Sequence, residues 1–271
     1  RGVKMGIAGV FVIWLFLTIF FIIEFIQCII KGIVFPVESL WMLIILWFIV
    51  FMIIVGFILY RKSTQKRFSK VLENDYSNNF NNYREGEYFY QSPLITLDSQ
   101  YITIHGNKKM YYVPNFNNFL QKWMSITGFF PLFGVFLKSN DNIVKIQRFK
   151  LWSLRPHYQV FLNESKIGVL KRQKLVTEKG MTQQLPYIFY TENEEYKFNN
   201  PYLSLNTVIK SGKEEILNAH RSFFDLSKNQ FTKQRGEKHN IEVESRINKP
   251  FPDEVWIALY IQIMITKRTN N

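Results

Sequence analysis

One short apolar segment near the end of the chain constrains the fold more than any other feature. Residues 255–265 read VWIALYIQIMI, in which only Gln262 is strongly polar. A proline and two acidic residues precede the segment and Lys267-Arg268 follows it, a pattern typical of a helix start and a helix end. A helix that is apolar all round is buried on every side, and this one is too short to cross a bilayer. We therefore predict a core helix over 253–267, with these core positions: Val255, Trp256, Leu259, Tyr260, Ile261, Ile263 and Met264.

The residues that must surround this helix read as short β runs joined by turn formers. Six hairpins are predicted, pairing 101–105 with 109–113, 133–137 with 143–149, 158–162 with 166–171, 187–191 with 196–198, 203–209 with 215–219, and 230–234 with 240–245. About a dozen strands with alternating patterning indicate a sandwich or a barrel. Because the domain must enclose an apolar helix, we predict a mostly antiparallel, closed β-barrel with the helix through its middle.

Two segments interrupt the β pattern. Residues 117–126 read as a short helix, and the apolar run at 127–137 contains Pro131. That run is too short to span a membrane, so we predict that it belongs to the core.

The N-terminal part of the chain has a different character. Uncharged runs cover residues 6–23 and 40–60, and a bilayer core of about 30 Å needs about 20 apolar helical residues. We therefore predict a transmembrane hairpin over 1–60, with helices at about 6–28 and 39–60. No small-x-small cleavage site follows the first run, so we expect an anchor rather than a signal peptide. Because the chain begins at Arg1 rather than at methionine, we expect further sequence before it.

Charge distribution predicts the orientation of this anchor. The chain carries 34 Lys and Arg against 21 Asp and Glu, a net charge of +13, nearly all of it after residue 60. Basic residues flank the outer ends of the two helices, whereas the loop between them holds only Lys31. The positive-inside rule then predicts a multi-pass protein of the cell membrane with its N-terminus and C-terminal domain in the cytoplasm. An Asn-, Ser- and Tyr-rich linker is predicted over 61–89, and the barrel domain over 90–271.

Motifs for catalysis are missing from the sequence. There is no GxxxxGK phosphate loop, no pair of histidines at i, i+4 spacing, and only one cysteine, Cys28. These patterns exclude a P-loop site, a zinc site of the CxxC type and a disulfide scaffold. We therefore expect no enzyme activity, catalytic residue, cofactor or metal. His239, beside Glu237 in an expected turn, is predicted to be solvated.

Clusters of basic residues are the remaining sequence feature that indicates a function. The candidate lipid-binding residues are Arg61, Lys62, Lys66, Arg67, Lys108, Lys109, Lys171, Arg172 and Lys174. Each Lys or Arg near an anionic leaflet contributes about 1 kcal/mol to membrane binding. Because the membrane anchor keeps the domain close to the lipid, a weak affinity for headgroups is enough to dock it. The predicted partners are the lipid bilayer, anionic phospholipid headgroups and a membrane protein, with no nucleic acid. The alternative that these charges serve only topology and solubility stays open.

Four short segments carry a family resemblance: Tyr90-Gln91-Ser92-Pro93, Ile167-Gly168-Val169-Leu170, Arg235-Gly236-Glu237-Lys238-His239-Asn240-Ile241 and Leu259-Tyr260-Ile261-Gln262. With the predicted barrel and core helix, residues 90–268 resemble the tubby C-terminal-like domain proteins of low-GC Gram-positive bacteria. Plant LURP-one-related proteins and phospholipid scramblases share that architecture. The resemblance implies phospholipid binding in a regulatory role rather than catalysis. A scramblase-like or envelope-stress protein, and a toxin or peptide immunity protein, are the alternatives.

Overall fold

The computed structural model describes residues 2–32, 37–75, 83–93, 101–119, 121–122, 134–149, 156–173, 186–201, 204–222, 236–244 and 249–270. Within these ranges the long helices are α1 (Gly2–Lys31), α2 (Val37–Asp75) and α3 (Asp253–Asn270). The strands are β1 (Glu87–Pro93), β2 (Ile102–Gly106), β3 (Met110–Asn115), β4 (Gly134–Ser139), β5 (Ile143–Phe149), β6 (His157–Leu162), β7 (Ser165–Arg172), β8 (Tyr187–Tyr190), β9 (Glu195–Asn199), β10 (Asn206–Ser211), β11 (Glu214–Arg221) and β12 (Gly236–Val243).

Helices α1 and α2 form an antiparallel pair joined by a short connection. Trp47 donates its indole N–H to Thr18 Oγ1 at 2.9 Å, and the Trp14 and Phe51 rings lie 6.2 Å apart. In the described part of the chain, one helix is long and apolar enough to cross a membrane, over Val12–Lys31 with a mean hydropathy of 2.5. The apolar part of α2, Trp41–Phe57, is shorter than the about 20 residues that a bilayer needs. One spanning helix is therefore supported, where the sequence predicted two.

The twelve strands close into one barrel, and each strand pairs antiparallel with its neighbours in chain order. The last strand, β12, closes the barrel by pairing with β1, with Glu87 opposite Glu242 and Pro93 opposite Gly236. Side chains alternate between the two faces of each strand, as in β2, where Ile102 and Ile104 are buried and Thr103 is not. The predicted antiparallel barrel is thus confirmed.

Helix α3 lies inside this barrel. Val255, Trp256, Leu259, Tyr260, Ile261 and Ile263 are 0% exposed and Met264 is 7% exposed. Contacts surround the helix on several sides. Trp256 packs against Phe189 on β8 and Tyr196 on β9, while Glu254 accepts a hydrogen bond from Ser139 on β4. All seven predicted core positions are therefore buried.

The two ends of the barrel differ in their connections. Short turns join β2 to β3, β4 to β5, β6 to β7, β8 to β9 and β10 to β11, all at the end where α3 begins. We call this the turn end. The longer connections join strands at the opposite end, which α3 reaches near Thr266, 3.4 Å from Tyr158 Oη. We call this the connection end.

Several sequence predictions need correction. Helix α2 continues to Asp75, so the first part of the predicted linker is helical. Residues 236–239 are strand rather than turn, because β1 pairs with them across the barrel closure. His239 is consequently 0% exposed instead of solvated.

Other predictions fall outside the described residues. These are the strand over 230–234 and most of the apolar run 127–137, of which only residues 134–137 are described, in β4. Of the short helix predicted over 117–126, Phe119, Gln121 and Lys122 are helical, and positions 120 and 123–126 are not described.

Candidate functional site

The barrel wall divides into two halves by charge. Seven consecutive strands, β2 to β8, contain no Asp or Glu. In contrast, β9, β11, β12 and β1 each contain at least one Glu. Because successive side chains point alternately inward and outward, the outward positions of β4 to β8 form one continuous surface. Inward positions are mainly apolar in both halves, so the difference concerns the outer surface.

Lysines and aromatic side chains alternate across this surface. Strand register places Phe136 opposite Lys145, Lys145 opposite Phe161, and Phe161 opposite Lys166. Neighbouring strands lie about 4.8 Å apart, so these four side chains form a row across β4 to β7. We call the outward surface of β4–β8 the basic face; its lysines are Lys138, Lys145, Lys166 and Lys171.

The four lysines of the basic face are not neutralised by any carboxylate in the described part of the chain. None of them forms an ion pair with a carboxylate among the described residues, and Lys171 Nζ lies 5.2 Å from the centre of the Tyr190 ring. Lys138, Lys166 and Lys171 are exposed, and Lys145 is half-buried. No carboxylate among the described residues competes with an external anion for their charge.

Two lysines on the other half are paired with glutamates. Lys197 Nζ lies 2.8 Å from Glu195 Oε1, and Lys210 Nζ lies 2.6 Å from Glu215 Oε1. The hydrogen bond and charge of Glu195 raise the pKa of Lys197. The charges of these two lysines are therefore balanced by neighbouring glutamates.

Residues predicted as lipid ligands are separated by the fold. Lys171 points outward on the basic face, whereas Arg172, the next residue, points into the barrel at the connection end. Lys108 Nζ lies 3.8 Å from Glu254 Oε1 and 3.9 Å from Asp141 Oδ2, so its charge is balanced by protein. Lys109 is exposed in the turn between β2 and β3.

The remaining predicted ligands lie elsewhere in the chain. Arg61, Lys62, Lys66 and Arg67 belong to helix α2, directly after its apolar part. Lys174 lies outside the described residues. The structure therefore keeps Arg61, Lys62, Lys66 and Arg67 together within two turns of one helix, whereas the other two predicted clusters lie in the barrel domain.

Known proteins do not supply an identity. No family model, curated protein or solved structure matches this chain.

Sequence reasoning missed Lys138, Lys145 and Lys166. No Lys or Arg lies within two positions of any of them, so no run of adjacent basic residues marks them. Their spacing is what could have revealed them. In the hairpin of β4 and β5, Lys138 and Lys145 occupy positions that alternate with buried residues, so both face outward. The register of three strand pairs, β4 with β5, β5 with β6 and β6 with β7, is needed to see them as one surface.

A cluster of polar side chains also lies inside the barrel, around His239 and Tyr260. His239 Nδ1 and Tyr260 Oη are 2.8 Å apart, and the His239 ring stacks on Tyr90 at 4.4 Å. Glu237 lies at the rim and pairs with Arg221 at 2.9 Å. Burial, followed by the charge of Glu237, raises the pKa of Tyr260, so its hydroxyl stays protonated. The group fastens α3 to β12.

The described part of the chain contains no candidate metal site. No group of three or more His, Cys, Asp or Glu side chains there is placed to hold a metal ion.

Proposed function

We propose that this chain is a membrane-anchored, non-enzymatic tubby-like module whose barrel docks on acidic phospholipids in a regulatory role. The observation that carries the proposal is the basic face, with four lysines unpaired among the described residues and no carboxylate in its five strands. Each Lys near an anionic leaflet adds about 1 kcal/mol, which is about 4 kcal/mol for the four together.

Aromatic residues on the same face favour a bilayer over a folded acidic partner. Phe136 and Phe161 flank Lys145 and are half-buried, and Phe149 is 47% exposed. Aromatic rings and long lysine side chains are both suited to the headgroup region, where an apolar body and a charged tip are accommodated together. The face therefore matches the chemistry of an anionic lipid surface.

Helices α1 and α2 supply the anchor in this proposal. In it both helices cross the bilayer as a hairpin, α2 through the whole uncharged run 40–60 rather than its most apolar part alone, and both termini and the barrel are cytoplasmic. Three observations support it: the spanning length of Val12–Lys31, the hydrogen bond between Trp47 and Thr18 that joins the helices, and the basic residues Arg61 to Arg67 after the apolar part of α2. Tethering then keeps the local lipid concentration high, so moderate affinity is enough for docking.

The proposal is tested with a fluorophore on each half of the barrel. In the chain 1–271 with Cys28→Ser, the variants Gln159→Cys on β6 and Asn218→Cys on β11 each place a single thiol on an outward position. An environment-sensitive label is attached and the protein is reconstituted into phosphatidylcholine vesicles with or without phosphatidylglycerol.

Docking predicts a blue shift at position 159 that requires phosphatidylglycerol and is reversed in 1 M salt, where the Debye length is about 3 Å. Position 218 serves as the matched control and should not respond. Equal responses at both positions, or none at either, would refute docking through the basic face.

A further inference from the structure

One apolar side chain at the connection end is unusually exposed. Phe119, in the segment between β3 and β4, is 81% exposed, the highest value of any large apolar side chain among the described residues, those of α1 and α2 included. Single exposed apolar side chains are common on protein surfaces. The neighbours of Phe119 therefore determine whether its exposure indicates a contact outside the barrel.

Side-chain hydrogen bonds fix the backbone from which Phe119 projects. Asn118 Oδ1 accepts a hydrogen bond from the backbone N–H of Gln121 at 2.8 Å, so Asn118 caps the short helix that begins at Phe119. Gln121 is 1% exposed, and its side-chain oxygen accepts a hydrogen bond from the backbone N–H of Asn117. The ring of Phe119 is thus presented to the outside by a capped and partly buried segment.

A second exposed phenylalanine lies at the same corner of the barrel. Asn117 Nδ2 donates a hydrogen bond to the carbonyl oxygen of Arg148 at 3.0 Å, which joins the segment of Phe119 to the end of β5. The next residue, Phe149, is the last residue of β5, points outward and is 47% exposed. We call Phe119 and Phe149 the apolar corner.

The apolar corner continues the basic face at its connection end. Strand register places Phe149 opposite His157, and His157 opposite Lys171. The other three lysines of the basic face lie nearer the turn end. The described residues around the corner, 116–119, 121–122 and 147–149, include no Asp or Glu. An anionic surface that approaches the basic face therefore meets no described carboxylate at this corner.

We propose that the apolar corner inserts into the acyl-chain region of the leaflet on which the basic face docks. This inference rests on the docking proposal and adds the depth and the tilt of the docked barrel. Lysine ammonium groups stay at the level of the headgroups, whereas apolar side chains enter about 5–10 Å into the boundary between headgroups and acyl chains. Because most of the lysines lie nearer the turn end, the barrel docks with its connection end deeper than its turn end.

A flat orientation is the competing prediction. If the lysines alone attract the barrel, the basic face lies parallel to the leaflet and both ends of β5 approach it equally. Ile143 allows the comparison, because it is the first residue of β5, is 37% exposed and points to the same side as Phe149. Six residues separate the two positions, which is about 20 Å along the strand.

Fluorescence quenching from within the bilayer compares the two ends of the strand. In the chain 1–271 with Cys28→Ser, the variants Phe119→Cys, Phe149→Cys and Ile143→Cys each carry a single thiol for the same small fluorophore. Each protein is reconstituted into vesicles of phosphatidylcholine and phosphatidylglycerol in which some acyl chains carry a nitroxide quencher. We expect the labels at 119 and 149 to be quenched about threefold more strongly than the label at 143.

A second measurement tests the native rings without a label at the corner. With the environment-sensitive label at position 159, the double variant Phe119→Ser and Phe149→Ser should dock on phosphatidylglycerol-containing vesicles about fivefold more weakly, because two apolar side chains no longer leave water. Ile143→Ser removes an exposed apolar side chain at the turn end and should change docking by less than about twofold. All three positions are exposed, so we expect an unchanged unfolding temperature in each variant.

The outcomes separate failure of insertion from failure of docking. If the label at 159 reports docking but quenching is equal at 119, 149 and 143, insertion is refuted and docking stands. If the label at 159 reports no docking, both proposals are refuted. A blue shift at 119 and 149 that occurs in detergent and increases with protein concentration would assign the corner to contact between two copies of the chain, which also overturns insertion.

Discussion

The two halves of the barrel share one interior but have different exteriors. On the inside, β1 to β12 contribute the same alternation of buried apolar and aromatic side chains around α3. On the outside, the basic face of β4–β8 has lysines without described carboxylate partners, whereas Lys197 and Lys210 on β9 and β10 are paired with glutamates. Inward positions therefore determine the fold, whereas outward positions differ in charge between the two halves without changing it.

The largest expected effect concerns the interior around α3, which both halves share. Ile261→Asp places a carboxylate at a position that is 0% exposed, at the centre of α3. Burial of an unpaired charge costs more than about 4 kcal/mol, so we expect the barrel to unfold, measured by chemical denaturation. Asn218→Asp, with the same charge on the exposed outer surface, should change the free energy of unfolding by less than about 0.5 kcal/mol. Near-normal stability of Ile261→Asp would contradict a helix enclosed by both halves.

The second largest effect is expected when the charge of the basic face alone is removed. Replacing Lys138, Lys145, Lys166 and Lys171 with glutamine removes about 4 kcal/mol of attraction to an anionic leaflet, which corresponds to roughly a thousandfold in the docking equilibrium. The measurement is the emission of a label at position 159 in phosphatidylglycerol-containing vesicles. We expect it to return to its value in phosphatidylcholine.

The control for this variant changes the same amount of charge on the other half. Lys197, Lys210, Lys213 and Lys238 are replaced with glutamine, and docking should be largely retained. Equal loss in both variants would mean that net charge alone, and not the basic face, attracts the membrane.

A smaller effect asks which half holds α3 more firmly. Tyr260 and His239 on β12 are 2.8 Å apart, whereas Tyr158 on β6 lies 3.4 Å from Thr266. A shorter hydrogen bond contributes more, so Tyr260→Phe should cost about 1–2 kcal/mol of unfolding free energy and Tyr158→Phe less than about 1 kcal/mol. Urea denaturation measures both free energies. A larger loss for Tyr158→Phe than for Tyr260→Phe would show that α3 is held mainly from the side of the basic face.

The smallest effect concerns the neutralised lysines. Glu195→Gln breaks the exposed pair with Lys197, and exposed pairs contribute at most about 1 kcal/mol. We expect little change in stability but a lower pKa for Lys197, which NMR titration can follow, because Glu195 raises that pKa. An unchanged pKa would show that the pair does not form in solution.

Sequence alone predicted the interior better than the exterior. The apolar segment 255–265 has one physical solution, burial on all sides, and the structure confirms it. Hairpins such as β6 and β7 were also predictable, because a short turn at Asn163-Glu164 joins two alternating runs. These are local patterns, and local patterns are readable from sequence.

Features that depend on distant pairing were not predictable. His239 was placed in a turn because its partner strand, β1, lies far away in sequence and pairs with it only when the barrel closes. Lys145 and Lys166 become neighbours of Phe161 through two separate registers. The basic face therefore required the register of the whole sheet, which composition and runs of charge do not encode.

Lysine reactivity compares the two halves most directly in a single sample. The full-length protein is reconstituted into nanodiscs of phosphatidylcholine with or without phosphatidylglycerol, briefly treated with an amine-acetylating reagent, and analysed by mass spectrometry. We expect Lys138, Lys145, Lys166 and Lys171 to react several-fold more slowly when phosphatidylglycerol is present, with Lys197, Lys210, Lys213 and Lys238 unchanged. Protection that is absent, or equal on both halves, would contradict the claim that the barrel docks on an anionic membrane through its basic face.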